Sequence, residues 1–336
     1  MTEAARILVV GATGQLGTAV LRRLARRGLP LRALVRRGSD HGHLEAGGID
    51  LAFGDLREPA SLDAACRDVA AIVATANAVV PRGTYRARDS EDLGYANLIA
   101  AARRQGVRRV LFMSVPKTPV DDRVPVYARK RRIEAALAAS GLEVAVFRGS
   151  LFMDDWFALM GSSIPLRGAE AHTLSRPFWF SRAFLGAVGR LIERRGIALV
   201  PGDGTTRHAF VALDDVADVL AAAAAEPGFT GTHDVGGPET LSWDEVVERF
   251  AAVLGRRVRA LHTPAAVYRF QSAILRPFSE AASNLMSLSW AAAVAPTPFD
   301  SRALFARFGL TPTDAASFLA RRAAMPEAGG SRSGSR

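Results

Sequence analysis

Short, wholly apolar segments alternating with amphipathic segments of ten or more residues predict an α/β fold, a doubly wound parallel sheet with helices on both faces. Three observations carry that expectation. The opening run ARILVVGATGQLG (Ala5 to Gly17) is an apolar strand entering a glycine-rich turn. TAVLRRLARRG follows at once with helical periodicity and stops at Gly28. The alternation then recurs up to Arg148 and breaks.

The elements follow in order. LRALVRR (Leu31 to Arg37) reads as the second strand and DLAFGDL (Asp50 to Leu56) as the third. SLDAACRD is a helix that Ser61 is placed to cap. AAIVATA (Ala70 to Ala76) is the fourth strand, and GYANLIAAARRQG a helix ending at Gly106. VRRVLFMS (Val107 to Ser114) is the fifth strand, RKRRIEAALAASG a helix ending at Gly141, and LEVAVFR (Leu142 to Arg148) the sixth strand. Ser150 to Gly196 is rich in aromatics and shows no strand pattern. HAFVAL with DDVADVLAAAAAE, and THDVGG with SWDEVVERFAAVLG, return to strand and helix, and from Val258 the chain reads as helical with proline breaks. The expected division is a dinucleotide-type domain over residues 1–150, rejoined by 197–236. A mostly helical cap comprises 151–196 and 237–325, and a Gly/Ser/Arg tail at 326–336 reads as disordered.

Composition limits the function classes. The chain has 336 residues, 49% of them apolar, enough for a full core. Its net charge of +10 comes from arginines scattered in pairs, which at helical spacing make solvated faces, and no nucleic-acid-binding signature accompanies them. Cys66 is the single cysteine, so no internal disulfide or cysteine metal site is expected. His41 and His43 flank a glycine without further ligands nearby, so no metal is expected there either. No apolar run reaches about 18 residues, and the N-terminus enters a strand directly. The expected setting is therefore cytoplasmic. The expected partner is a small-molecule substrate, without nucleic acid or membrane, and a homodimer is left open.

Gly11, Gly14 and Gly17 lie three residues apart after a strand and at the head of a helix. That spacing lets the backbone approach a pyrophosphate resting on the helix N-terminus, with Thr13, Gln15 and Leu16 beside it. At the end of the second strand, where a carboxylate would select NAD(H), stand Arg36 and Arg37. Guanidinium groups there suit the 2′-phosphate of NADP(H). One further residue is conspicuous: of 43 cationic side chains only Lys117 and Lys130 are lysines. A lysine can be tuned in pKa where an arginine cannot, although two lysines must fall somewhere.

Several segments resemble the atypical, NmrA-like branch of the short-chain dehydrogenase/reductase superfamily. These are GATGQLG, LVRR, GDL (Gly54 to Leu56), NLIAAARRQGVRRVLFMS, KRRIEAALAASGLEVAVFR, PGDG, FVALDDVA and GGPETLSWDEV, together spanning about residues 5 to 255. The resemblance implies a Rossmann-type nucleotide domain. It places Asp55 and Leu56 near the adenine, and Ala74, Thr75, Ala76, Gly149 and Leu151 beside the cofactor. It also implies that Lys130 holds the nicotinamide ribose and that Ser114 binds the substrate carbonyl. Two departures stand out. The tyrosine spaced four residues before the lysine is replaced by Val126, with Tyr127 one residue later, and the proline after Arg148 is replaced by Gly149. Tyr127 is thus either a proton donor or a packing residue. Phe152, Asp155 and Trp156 are the substrate-side candidates. Asp214 or Asp215 is expected to cap the helix that follows, His208 to lie at the surface, and RPFWFSRAF to line a pocket, a dimer contact or the core.

The activity implied is NADP(H)-dependent reduction of a carbonyl, imine or conjugated double bond in a small apolar molecule. The alternatives are a non-catalytic NADP-sensing partner protein and an NAD-dependent epimerase or dehydratase.

Overall fold

The computed structural model describes residues 6–77, 79, 89–169 and 186–326. Among them, seven parallel strands form the central sheet: β1 (Arg6–Val10), β2 (Leu31–Val35), β3 (Asp50–Phe53), β4 (Val69–Ala74), β5 (Arg109–Ser114), β6 (Glu143–Gly149) and β9 (Gly231–Val235). Their order is β3-β2-β1-β4-β5-β6-β9, with the chain reversing direction of travel at β1 and β4.

The central strands β1, β2, β4 and β5 are largely apolar because both their faces are covered. On β1, Ile7 and Val9 pack with α1 (Gln15–Arg26) and α8 (Leu213–Ala225). Leu8 and Val10 turn to the opposite side, against α3 (Pro59–Ala65), α4 (Gly94–Arg104) and α5 (Pro125–Ala138). A short α2 (Gly42–Ala46) precedes β3.

The remaining segments build a cap with its own core. It contains α6 (Met153–Leu159), α7 (Leu191–Arg195), α9 (Trp243–Leu254) and α13 (Ala315–Ala323). Two further helices, α10 (Ala265–Leu275) and α11 (Glu280–Val294), form a hairpin, and α12 (Arg302–Arg307) follows. Phe157, Phe210, Trp243, Phe250 and Phe318 are fully buried at its centre. Two small ladders support it: β7 (Ile197–Pro201) runs parallel to β11 (Arg259–Thr263), and β8 (Arg207–His208) antiparallel to β10 (Leu241–Ser242).

Several sequence expectations are corrected. The region after Val258 begins with a strand, β11, before turning helical. In HAFVAL only His208 belongs to a strand, and Val211 makes an isolated bridge to Phe152. Ser61 does not cap α3, because Pro59 starts the helix two residues earlier. Its hydroxyl instead donates to Glu58 O (2.8 Å) and accepts the Asp55 N–H (3.1 Å). Neither Asp214 nor Asp215 caps α8: Asp214 pairs with Arg23 at 2.9 Å, and Asp215 accepts from Thr313 N–H at 2.6 Å. The aromatic run at 176–184 and the tail at 327–336 lie outside the described residues.

His208 is not at the surface but fully buried. Its ring nitrogens meet Thr297 Oγ1 and Ala292 O, each at 2.9 Å, between the rings of Phe210 and Trp243. Burial pushes its pKa down to about 4. The unfolded chain therefore binds a proton that the folded protein refuses, and stability falls as pH drops from about 6.5 towards 4, by about 3 kcal/mol. We expect His208→Gln, which keeps hydrogen-bonding capacity without a titration, to lose that part of the slope in urea unfolding across this window. An unchanged slope would assign the loss to another group.

Candidate nucleotide site and reacting edge

The glycine turn joins β1 to α1 through two close backbone approaches. Gly11 has φ +89°, and a Cβ there would stand 2.6 Å from Ala76 N and 2.8 Å from Thr75 Oγ1. A Cβ on Gly17 would stand 2.1 Å from Gly11 O. Gly14 N–H donates to Gly11 O (3.0 Å), and Thr18 Oγ1 donates to Ala12 O (3.0 Å), which closes the turn. Gly14 is exposed at the N-cap, with no side-chain cap and no acidic residue in the first turn. The leading N–H groups of α1 therefore face outward with the positive end of the helix, an arrangement that fits a pyrophosphate. Thr13 and Gln15 are half-buried beside it, while Leu16 anchors the helix in the core.

Beyond β2, Arg36 is half-buried, and Arg37 is exposed with its guanidinium 5.3 Å from the Phe53 ring centroid. Burial pushes the Asp55 carboxyl up, but hydrogen bonds from Arg57 and the charge of Arg36 outweigh this and hold it below the ordinary value. Leu56 O accepts from Asn97 Nδ2 at 3.0 Å.

At the end of β4, Ala74 is buried, and Thr75 is pinned to β1 through Val10 O by its N–H (2.8 Å) and its hydroxyl (3.0 Å). Ala76 O accepts from Tyr95 Oη at 2.7 Å and from Lys130 Nζ at 3.5 Å. Lys130 is only 3% exposed. Its ammonium lies 4.9 Å from the Phe112 centroid, 5.6 Å from that of Tyr95 and 3.3 Å from Glu91 Oε1. Glu91, which also receives Arg129 Nε at 3.0 Å, escaped the sequence reading because DSEDL carries no periodic signal. The compact ammonium thus sits between two rings and two oxygen acceptors.

One turn further along α5, Glu134 forms a second centre. It accepts from Ser114 Oγ (2.5 Å), Arg148 Nη2 (2.6 Å) and Arg131 Nη1 (2.6 Å), and Arg131 also reaches Asp121 at 3.1 Å. Burial raises the Glu134 carboxyl, but these partners bring its pKa below the ordinary value. Ser114 is thereby fixed in orientation. Tyr127 behaves differently. The helix is regular from Pro125, so the one-residue offset turns the ring into an apolar cluster with Val124, Val126, Trp290 and Ala291. Burial there, reinforced by Asp121, pushes its phenol well above the ordinary range.

On the cap side, a Cβ on Gly149 would meet Met113 Cε at 2.4 Å and Phe152 Cε1 at 3.1 Å, so a side chain there requires the end of Met113 to shift. Leu151 is buried in the cap core. Phe152 and Asp155 are half-buried, and Trp156 packs against Trp243 with centroids 5.8 Å apart. Asp154 faces inward: it accepts from Leu213 N–H (2.9 Å) and Arg322 (2.8 Å), and burial pushes its pKa up to about 6.

The fold thus collects Gly11 to Gly17, Arg36, Ala74 to Ala76, Ser114 and Lys130 along the carboxyl edge of β1, β2, β4 and β5, the edge where open α/β sheets bind ligands. This defines the Rossmann class. The NmrA-like family matches residues 3–288, and the chain belongs to it. It is 28% identical over 254 residues to an NAD(P)H azoreductase of Xenophilus azovorans, covering 75% of each chain. It is also 25% identical to the photosystem II assembly factor Ycf39 of Synechocystis, covering 92% of this chain and 87% of that one. The structure of an NADPH-dependent quinone oxidoreductase from Escherichia coli, complexed with NADPH, superposes with a TM-score of 0.71 at 20% identity, over 94% of this chain and 99% of that one. No described helix is long and apolar enough to cross a membrane.

The Gly17 contact gives a direct test. Gly17→Ala must separate α1 from the turn, and we expect a loss of about 1–3 kcal/mol in denaturant unfolding. Wild-type stability in that variant would show that the close approach is absent.

Proposed function

We propose that the chain is an NADP(H)-dependent reductase acting on a small, largely apolar acceptor. The observation that carries this reading is Lys130. Its buried ammonium sits on the same sheet edge as the glycine turn, beside Ala76, where it suits the hydroxyls of a nicotinamide ribose. The residues fit the dinucleotide: the α1 N-terminus would take the pyrophosphate, Arg36 the 2′-phosphate, and Lys130 the ribose. When bound, that cofactor supplies the hydride. Ser114 donates its one proton to Glu134 and would have to redirect it to hold an acceptor carbonyl, and the aromatic side chains Phe152 and Trp156 would shape the pocket above it. The relation to an NAD(P)H azoreductase supports this reading.

Tyr127 is assigned to packing, because its ring is committed to Trp290 and Ala291. That burial is also what favours a second reading, a nucleotide-binding partner protein without turnover, as does the long match to an assembly factor. Arg36 in place of a carboxylate weighs against the NAD-dependent epimerase alternative.

Calorimetry with NADPH, NADP⁺, NADH and NAD⁺ tests the cofactor assignment. NADPH should bind tightly, and Arg36→Asp should weaken it at least roughly tenfold while sparing NADH, the loss of about one charge-assisted contact. Equal NADPH affinity in the variant would remove Arg36 from the site. Following NADPH oxidation with azo and quinone acceptors then separates enzyme from sensor. Tyr127→Phe should stay within about twofold of wild type and Lys130→Met should fall at least roughly tenfold. Inactivity of the wild-type protein despite tight binding would favour the partner-protein reading.

A further inference from the structure

The hairpin of α10 and α11 turns the usual amphipathic rule around. None of the 11 residues of α10 is buried. Tyr268, Ser272 and Leu275 face the molecule, with Ser272 and Ser283 exchanging hydroxyl-to-carbonyl hydrogen bonds of 2.9 Å in both directions. At roughly 100° per residue the opposite face carries Ala266, Val267, Phe270, Ala273 and Ile274. Relative exposures there are 39% for Val267, 67% for Phe270 and 49% for Ile274, and Phe278 just beyond the helix reaches 84%. Leu261, 55% exposed on β11, adds to the exposed apolar side chains of this segment. Single exposed apolar residues are ordinary, but a helix face made of them marks a surface that something covers.

The charge around this face indicates what covers it. Residues 249–279 hold six arginines and no aspartate or glutamate. Arg256, Arg257, Arg259, Arg269 and Arg276 are exposed. On the helix, Arg269 and Arg276 lie one above the other on the flank of the apolar face, and on β11 Arg259 shares a face with Leu261. Two neighbouring carboxylates already have partners: Asp244 meets His262 Nε2 at 2.8 Å, and Glu280 lies 3.9 Å from Arg129. A second copy of the chain would bring the same arginines, no carboxylate in this segment, and a net charge of +10 against +10. An apolar face flanked by arginines matches instead a surface that is apolar beneath and anionic above.

We propose that α10 and the Phe278 turn dock in the plane of an anionic lipid bilayer, with the phenyl and branched aliphatic side chains below the headgroups and the arginines among them. This departs from the expectation of no membrane partner, and it concerns a surface contact rather than a span. It does not rest on the nucleotide reading.

The test is cosedimentation of the full chain with phosphatidylcholine vesicles containing one-third phosphatidylglycerol, against pure phosphatidylcholine. Binding is expected to the anionic vesicles, at least roughly tenfold weaker without the anionic lipid and weakened by salt. The same loss is expected in Phe270→Ser/Phe278→Ser, and a smaller one in Arg259→Glu/Arg276→Glu. Both variants should keep wild-type stability because the substituted groups stand in solvent. Failure to bind anionic vesicles, binding indifferent to both variants, or a concentration-dependent dimer lost in the phenylalanine variant without vesicle binding would each overturn the proposal. So would unfolding of the phenylalanine variant, which would show that this face is packed within the molecule.

Discussion

The carboxyl edge of the sheet depends on one steric constraint, the backbone contact between Gly17 and Gly11. With 2.1 Å between a hypothetical Cβ and a carbonyl oxygen, nothing but hydrogen fits, so the first turn of α1 lies directly on the end of β1. Gly11 in turn lies against Thr75 and Ala76, which locks the end of β4 to the same turn. Two strand ends and one helix N-terminus therefore share a single fixed geometry. A phosphate site made of N–H groups requires that rigidity, because the donors must point at the anion before it arrives.

From that fixed corner the charges along the edge follow an order. Lys130 is held by Ala76 and Glu91 on the β4 side, and Glu134 gathers Ser114, Arg148 and Arg131 on the β6 side. Both groups come from α5, one turn apart, so a single helix sets the cation under the candidate ribose position and the anion behind the candidate acceptor position. Burying such charges is costly in isolation and is tolerated here because each has a partner on a different element. The same pairings tie α5 to β4, β5 and β6.

The nucleotide half was legible in the sequence because its rules are local. Both-face burial writes apolar strands, and close backbone contact writes glycine at 11 and 17. What stayed illegible depends on distant partners. His208 reads as a surface histidine until Thr297 and Ala292 close over it, and Asp214 reads as a cap until Arg23 and Arg322 arrive from other helices. Glu91 had no periodic neighbour to announce it, and its importance appears only when Lys130 and Arg129 converge on it. Tyr127 was ambiguous for the same reason: its ring packs in a cluster with Trp290, more than 160 residues away.

Lys130 unites these threads, because one cation on α5 touches β5, α4 and the end of β4. In a chain that writes nearly every other cation as arginine, this lysine head lies among Phe112, Tyr95, Ala76 and Glu91, within reach of two rings and two oxygens. Among the described residues two oxygens, Ala76 O and Glu91 Oε1, face an ammonium that carries three protons. On the proposed reading, the remaining proton is the one directed at a ribose hydroxyl.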